Sequence, residues 1–157
     1  MSSLRKLRGP RFVVRNSSIH GKGVFARSLI KKGEPIVEYK GLVISEKEAD
    51  RRYPDLDETK PYHTFLFLVE GAKVIDANRN GNSARWINHG CKPNCESSED
   101  EEGRVFIEAI RDIKPGDELT YDYNIILGEP HNAKNRKRFF CACSARTCRG
   151  TMLGKKR

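Results

Sequence analysis

No run of apolar residues in this 157-residue chain approaches the roughly 18 that a membrane-spanning helix needs. The basic N-terminus, Met1 to Arg11, is not followed by the apolar stretch of a secretory signal, so a cytoplasmic or nuclear location is expected. Apolar residues are scarce at 37%, while 32% of the chain is charged. That is enough for one domain with a real core, and it predicts long exposed loops or tails. There is no internal repeat and no alternation of strand-like and helix-like segments, which excludes a doubly wound parallel sheet. Gly21-Lys22-Gly23-Val24-Phe25-Ala26 has a dinucleotide-binding spacing, but Gly33 and Pro35 leave no room for the long helix such a turn must open. A nicotinamide enzyme is thereby set aside. The cysteines number five. An odd count without an export signal argues against a disulfide framework and for metal binding.

What the chain does have is positive charge and many short strand signals. The net charge is +9 with a pI near 9.5. It gathers at the ends, in Arg5, Lys6, Arg8 and Arg11, then in Lys134, Arg136, Lys137, Arg138 and residues 155–157. These read either as solvated tails or as contacts to nucleic acid. Glu96, Glu99, Asp100, Glu101 and Glu102 oppose them in a compact acidic cluster, a solvated hairpin tip or an attractor for a basic substrate tail. Phe12 to Val14, Glu34 to Tyr39, Gly41 to Ile44, Thr64 to Val69, Lys73 to Asp76, Val105 to Ala109 and Glu118 to Tyr123 read as strands. Ser45-Glu46-Lys47-Glu48 is a capping box, so one helix runs from Ser45 to about Tyr53 and stops at Pro54. Ala84 to Ile87 reads as one helical turn, and 125–138 as a loop. The fold class is mostly β, built of small sheets.

Three segments carry the chemistry. Gly81 to Cys95 contains Arg85-Trp86-Ile87-Asn88-His89-Gly90-Cys91; Glu118-Leu119-Thr120-Tyr121-Asp122-Tyr123 follows; Cys141-Ala142-Cys143 with Cys148-Arg149-Gly150 closes the chain. The last supplies three thiolates, and structural zinc takes four ligands, mostly thiolate or imidazole. His131 is a local candidate for the fourth.

In this order the three segments closely resemble the SET-domain family of protein lysine methyltransferases with its zinc-binding post-SET segment. The resemblance covers roughly Arg11 to Leu153. It implies a β-clip-like SET fold of small curved sheets with a knot-like crossing, in which Asn88-His89 lies beside the strand ending at Tyr123. It divides the chain into a basic arm (1–10), a SET domain (11–124), a connecting loop (125–139), a post-SET segment (140–153) and a basic tail (154–157). It implies S-adenosylmethionine as methyl donor and structural zinc held by Cys91, Cys141, Cys143 and Cys148, leaving Cys95 as a buried free thiol.

By the same resemblance, His20, Lys22, Gly23, Phe65, Asn88, His89, Phe140 and Ala142 form the cofactor site. Tyr123 is the catalytic tyrosine, Tyr39 lines the lysine channel, and Tyr121 restricts the product to one methyl group. Trp86 reads as core. Phe65 departs from the tyrosine common in relatives and lacks its hydroxyl; either nearby Tyr62 compensates or the cofactor is held more weakly. Gly90 departs from a common serine. The implied activity is S-adenosylmethionine-dependent protein lysine N-methylation on an exposed lysine in a basic tail, histone or histone-like. Two readings compete with it. One is a catalytically inactive zinc module binding basic tails or nucleic acid. The other is a cysteine hydrolase pairing Cys91 with His89, which alternation along an extended segment disfavours.

Overall fold

The computed structural model describes residues 10–53, 65–126 and 130–155. β1 (Phe12–Asn16) and β2 (Lys22–Ala26) pair antiparallel, from Phe12 opposite Ala26 to Asn16 opposite Lys22. Gly21, at φ +44°, takes the left-handed conformation in the turn between them. β3 (Pro35–Glu38) continues from a Lys32-Gly33 turn, and β4 (Leu42–Ser45) follows Gly41. Ser45 then caps α1 (Glu46–Arg52), its hydroxyl accepting from the Glu48 backbone N–H at 3.0 Å. The capping box closes only on that side. The Glu48 carboxylate turns instead to Arg51 and Arg52.

β5 (Leu66–Val69) and β6 (Lys73–Asp76) form a hairpin, and β6 sits between β5 and β4 in a three-stranded sheet. The segment 54–64 of the expected polar loop, with Thr64 and Tyr62, lies outside the described residues. A 3-10 turn (Ser83–Trp86) leads into β7 (Asn88–His89). β8 (Cys95–Glu99) and β9 (Val105–Ala109) form the hairpin that carries the acidic cluster, with β3 on the other side of β9. At its tip Asp100 and Glu102 are already engaged by Arg104. Val105, Ile107 and Ala109 alternate inward and are almost fully buried. They meet Val24, Ile30, Ile75, Ile87 and Leu119 in one core, where each large aliphatic side chain contributes about 1.5–3 kcal/mol.

Several elements differ from the sequence reading. β2, β7 and β8 are strands over residues that were not read as strands. The strand expected over Glu118 to Tyr123 is only β10 (Thr120–Tyr121), because its partner β7 is two residues long and the Tyr123 N–H goes to the His89 side chain instead. The connection read as a loop contains α2 (Ala133–Arg138), capped by Asn132, whose side chain accepts from the Asn135 N–H at 2.9 Å.

Candidate active site

The centre of the molecule is a parallel pairing of two very short strands. Thr120 lies opposite Asn88 and Tyr121 opposite His89. Parallel neighbours need a crossover, and here it is the β8–β9 hairpin. The pairing places the expected cofactor residues and the expected tyrosines side by side.

On one side lie the aromatic residues. Tyr39 and Phe67 rings are 5.0 Å apart, Phe67 and Tyr121 6.2 Å, Tyr121 and Tyr123 4.8 Å. Tyr39 is fixed by its own backbone bond to Val105 and by Asn82, whose amide donates to Glu38 O at 2.8 Å and accepts from the Lys40 N–H. Tyr123 donates its hydroxyl to Ile87 O at 2.5 Å. The Tyr39 and Tyr121 hydroxyls have no partner among the described residues. Burial raises all three phenols above the usual tyrosine range. All are therefore neutral near pH 7. They can donate hydrogen bonds and shape a channel, but none is an ionised base.

On the other side lies the turn between β1 and β2. The buried Asn88 amide nitrogen donates to His20 O at 3.1 Å, Lys22 O at 3.0 Å and the Glu118 carboxylate at 2.9 Å. The Lys22 ammonium stands 5.0 Å over the Trp86 ring, and Phe65 meets Trp86 edge-on at 5.0 Å. Arg85 lies over both rings. Trp86 is half-buried against the core, as read, but it also forms a wall beside Lys22 and Phe65. A Cβ at Gly90 would come within 2.7–2.8 Å of the Thr120 side chain, so a serine there requires Thr120 to move.

Beneath the crossing, Cys91, Cys141, Cys143 and Cys148 converge, with all four sulfurs within 4.8 Å of one another. Cys91 Sγ is 3.7 Å from Cys141 Sγ and 3.9 Å from Cys148 Sγ. Four thiolates around tetrahedral zinc at about 2.3 Å have sulfurs about 3.8 Å apart, so the donor set and its spacing fit zinc. Burial raises Cys141. At Cys143 the same effect is outweighed by the Cys91 and Ala145 N–H groups and by the Cys141 and Cys148 thiols, bringing it to about 7. His131 is not in the group; its Nδ1 pairs with Gly154 O at 3.0 Å. Cys95 stands apart, buried, and burial pushes its thiol up to about 12.

The cysteine cluster is tied to the tyrosines by side chains that the sequence reading left without a role. Arg149 grips Asp122 with two hydrogen bonds, at 2.8 and 3.0 Å, while its backbone N–H points at Cys91 Sγ. Asp122 sits between Tyr121 and Tyr123 in the chain. His89 spans the same gap. Its Nδ1 accepts from the Tyr123 N–H at 3.0 Å, which leaves Nε2 to carry the proton toward Cys91 Sγ at 3.3 Å. Burial keeps this imidazole neutral by lowering it to about 4. Phe67, Asn82, Glu118, Asp122 and Arg149 are thus site residues the sequence reading passed over. Four of them lie within the quoted motifs and Phe67 lies two residues from Phe65, yet none has a spacing signal of its own.

Phe140 and Ala142 follow α2 and flank the cluster. Phe140 bridges to Thr151 through its backbone, while the residue is 61% exposed, with no aromatic or cationic group stacked on its ring among the described residues. The turn at His20 to Gly23, Asn88, the tyrosines and the cysteines therefore come together around one crossing; the Phe140 side chain does not pack into it.

A β domain with this crossing and a four-cysteine cluster beside it defines a class, and comparison with known proteins gives the family. The SET-domain sequence profile matches residues 21–124. The chain belongs to the SET-domain family. It is 37% identical over 139 residues to histone-lysine N-methyltransferase 2B of Homo sapiens, covering 87% of this chain and 5% of that protein. It is 39% identical over 138 residues to histone-lysine N-methyltransferase ash1 of Drosophila melanogaster, covering 86% and 6%. The chain therefore spans only a small part of the length of the curated relatives it matches. Among solved structures it is similar to a polycomb repressive complex 2 chain described as autoinhibited and bound to S-adenosylmethionine, with TM-score 0.66, 33% identity, and coverage of 73% and 15%. It is also similar to the Chaetomium thermophilum polycomb repressive complex 2, with TM-score 0.68, 31% identity, and coverage of 76% and 16%. No helix among the described residues is long and apolar enough to cross a membrane.

Proposed function

We propose that this chain is an S-adenosylmethionine-dependent protein lysine N-methyltransferase, acting mainly as a monomethylase on a basic protein tail, histone or histone-like. The observation that carries it is the β7–β10 pairing, which sets Asn88 and His89 directly beside Thr120 and Tyr121. When bound, S-adenosylmethionine supplies the methyl group, displaced from its sulfonium by a neutral lysine amine. His20, Lys22, Gly23, Asn88, the His89 backbone and Ala142 hold it, with Phe65 and Phe140 against it. Tyr39, Phe67, Tyr121 and Tyr123 form the channel for the lysine.

A free lysine has a pKa near 10.4. An apolar aromatic channel disfavours its ammonium form by desolvation, and the proton leaves to water, since the channel phenols are neutral themselves. The channel then has one task left, alignment, which is worth several kcal/mol when reacting atoms are held in line. Tyr123, locked to Ile87 O, is the aligning residue. Zinc on the four cysteines supplies the cross-link that holds the post-SET segment against the crossing.

Tyr121 sets the methyl count. Its hydroxyl, without a partner among the described residues, can hold a water beside the amine, and a second transfer needs that volume, roughly 30 Å³. The test is time-resolved mass spectrometry on one lysine peptide. Wild type should accumulate monomethyl-lysine, and Tyr121→Phe should shift the product to di- and trimethyl-lysine. Trimethylation by wild type at low conversion sinks the limit; no transfer to any basic protein or peptide sinks the enzyme.

The charge distribution favours one further partner. Residues 131–157 contain nine Lys and Arg and no acid. The remaining 21 Lys and Arg equal the 21 Asp and Glu of the chain, so the whole net charge belongs to this C-terminal stretch. Nucleic acid is the partner such single-sign charge fits.

A further inference from the structure

The turn between β6 and the 3-10 segment carries reactive groups that the site does not use. Of the nine asparagines in the chain, only Asn80 precedes a glycine. Asn80 and Gly81 are both exposed. Asn80 has a left-handed backbone, φ +55°, a conformation that costs a residue with a Cβ, so leaving it is not opposed. Neither its side chain nor the Gly81 N–H has a hydrogen-bond partner among the described residues. Gly81 also has no Cβ to block the approach of its nitrogen to the Asn80 amide carbon. Two other asparagines precede a small residue, serine, and both are held. Asn16 lies in β1 opposite Lys22. Asn82 donates to Glu38 O at 2.8 Å and accepts from the Lys40 and Ala84 N–H groups at 3.4 and 3.3 Å.

The same turn supports the aromatic wall. Arg79 O accepts from the Leu42 N–H at 3.0 Å, and Asn82 clamps Glu38 and Lys40, the residues on either side of Tyr39. The turn has no slack, since a Cβ at Gly81 would lie 2.2 Å from Ala77 O. Any backbone atom added between Asn80 and Gly81 must therefore push on Asn82.

We propose that Asn80-Gly81 is a self-modification site, a turn that deamidates and whose isoaspartate product loosens the Asn82 clamp on Tyr39. The Gly81 nitrogen attacks Asn80 Cγ. A C–N bond forms and closes a cyclic imide, while the side-chain amide nitrogen leaves as ammonia, taking the Gly81 proton. Water then opens the ring. Cleavage at the side-chain carbonyl gives aspartate on an unchanged backbone. Cleavage at the backbone carbonyl gives isoaspartate, whose main chain runs through Cβ and is longer by one methylene. Nothing is oxidised or reduced, and water is the only co-reactant.

Ageing the full chain in mildly alkaline buffer at body temperature tests it. Peptide mapping by mass spectrometry should find the amide-to-acid mass increase at Asn80 ahead of every other asparagine, with isoaspartate the main product. Asn80→Gln, whose longer side chain disfavours the ring, should stay unmodified. Hydrogen exchange at the Lys40 and Leu42 amides should quicken about tenfold in the aged protein, the protection of one hydrogen bond. It should keep its starting rate in aged Asn80→Gln and in fresh Asn80→Asp, which has the charge without the extra methylene. An Asn80 that survives as long as Asn16 or Asn82 overturns the site. Modification with unchanged exchange, or equal quickening in fresh Asn80→Asp, overturns the link to Tyr39. Neither readout involves methyl transfer, so failure of the methyltransferase reading leaves both results interpretable.

Discussion

The buried phenols give the residue scale its clearest consequence. Tyr39, Tyr121 and Tyr123 are all raised by burial above the ordinary tyrosine value of about 10. In the unfolded chain each loses its proton near that pH, while in the folded protein each keeps it. The unfolded state therefore releases protons first as pH rises. Stability from these groups is fully present below about pH 10 and declines above it. Thermal melts from pH 8 to 11 should show a steep fall in Tm beyond pH 10, shallower in Tyr39→Phe. A Tm that stays flat to pH 11 removes the premise that these phenols are held neutral. Over the same range turnover should rise with pH until the substrate amine is deprotonated, with no falling limb below pH 10.

Among elements, the post-SET segment and β10 hold each other. The Arg149–Asp122 pair joins them beside Tyr123, and Arg149 reaches Cys91 through its backbone rather than its side chain. Arg149→Ala should therefore keep one zinc per chain and near-normal cofactor affinity while turnover drops about 10- to 100-fold, the cost of an aligning contact worth about 1–3 kcal/mol. Cys91→Ser should lose zinc and turnover together. Zinc analysis beside single-turnover rates separates the two, and an Arg149→Ala variant with wild-type turnover would falsify the coupling. Some of the longer elements were legible. β9 alternates over five residues and, like β6, matched the reading residue for residue, and α1 announced itself through Ser45, whereas β2 and β8, five residues each, went unread. β7 and β10 are two residues each, too short for any period, and their pairing depends on chain crossing rather than local pattern. α2 buries only Asn135, so it shows no apolar stripe. The turn at His20 to Gly23, the tyrosines and the cysteines were singled out because the resemblance named them. Glu118, Asp122 and Arg149 were not, because their roles are fixed by partners 30 to 101 residues away in the chain for Glu118 and 27 for the other two.

At the scale of the whole molecule, charge separates what the core joins. Arg136 and Lys137 on α2, and Arg146 beyond it, are exposed in a stretch without a single acid. Duplex DNA binding by fluorescence anisotropy should weaken steeply with salt. Replacing these three residues with glutamine should reduce the slope of log K against log salt by up to about 2.7, at about 0.9 per phosphate contact. A slope unchanged in the triple variant, or no binding at low salt, returns this stretch to a solvated surface.

The cysteine cluster also bears on the threading of the chain. Cys91 and Cys141 are 50 residues apart, and β8, β9 and β10 all lie within the span they close. A cross-link of that length takes roughly 4 kcal/mol of conformational freedom from the unfolded chain, by the reasoning used for disulfides. Cys91 follows β7 by two residues and Cys141 lies beyond β10, so zinc on the cluster would lock both ends of the crossing at once. Stripping the metal should then loosen the threading of the chain, not only its C-terminal segment.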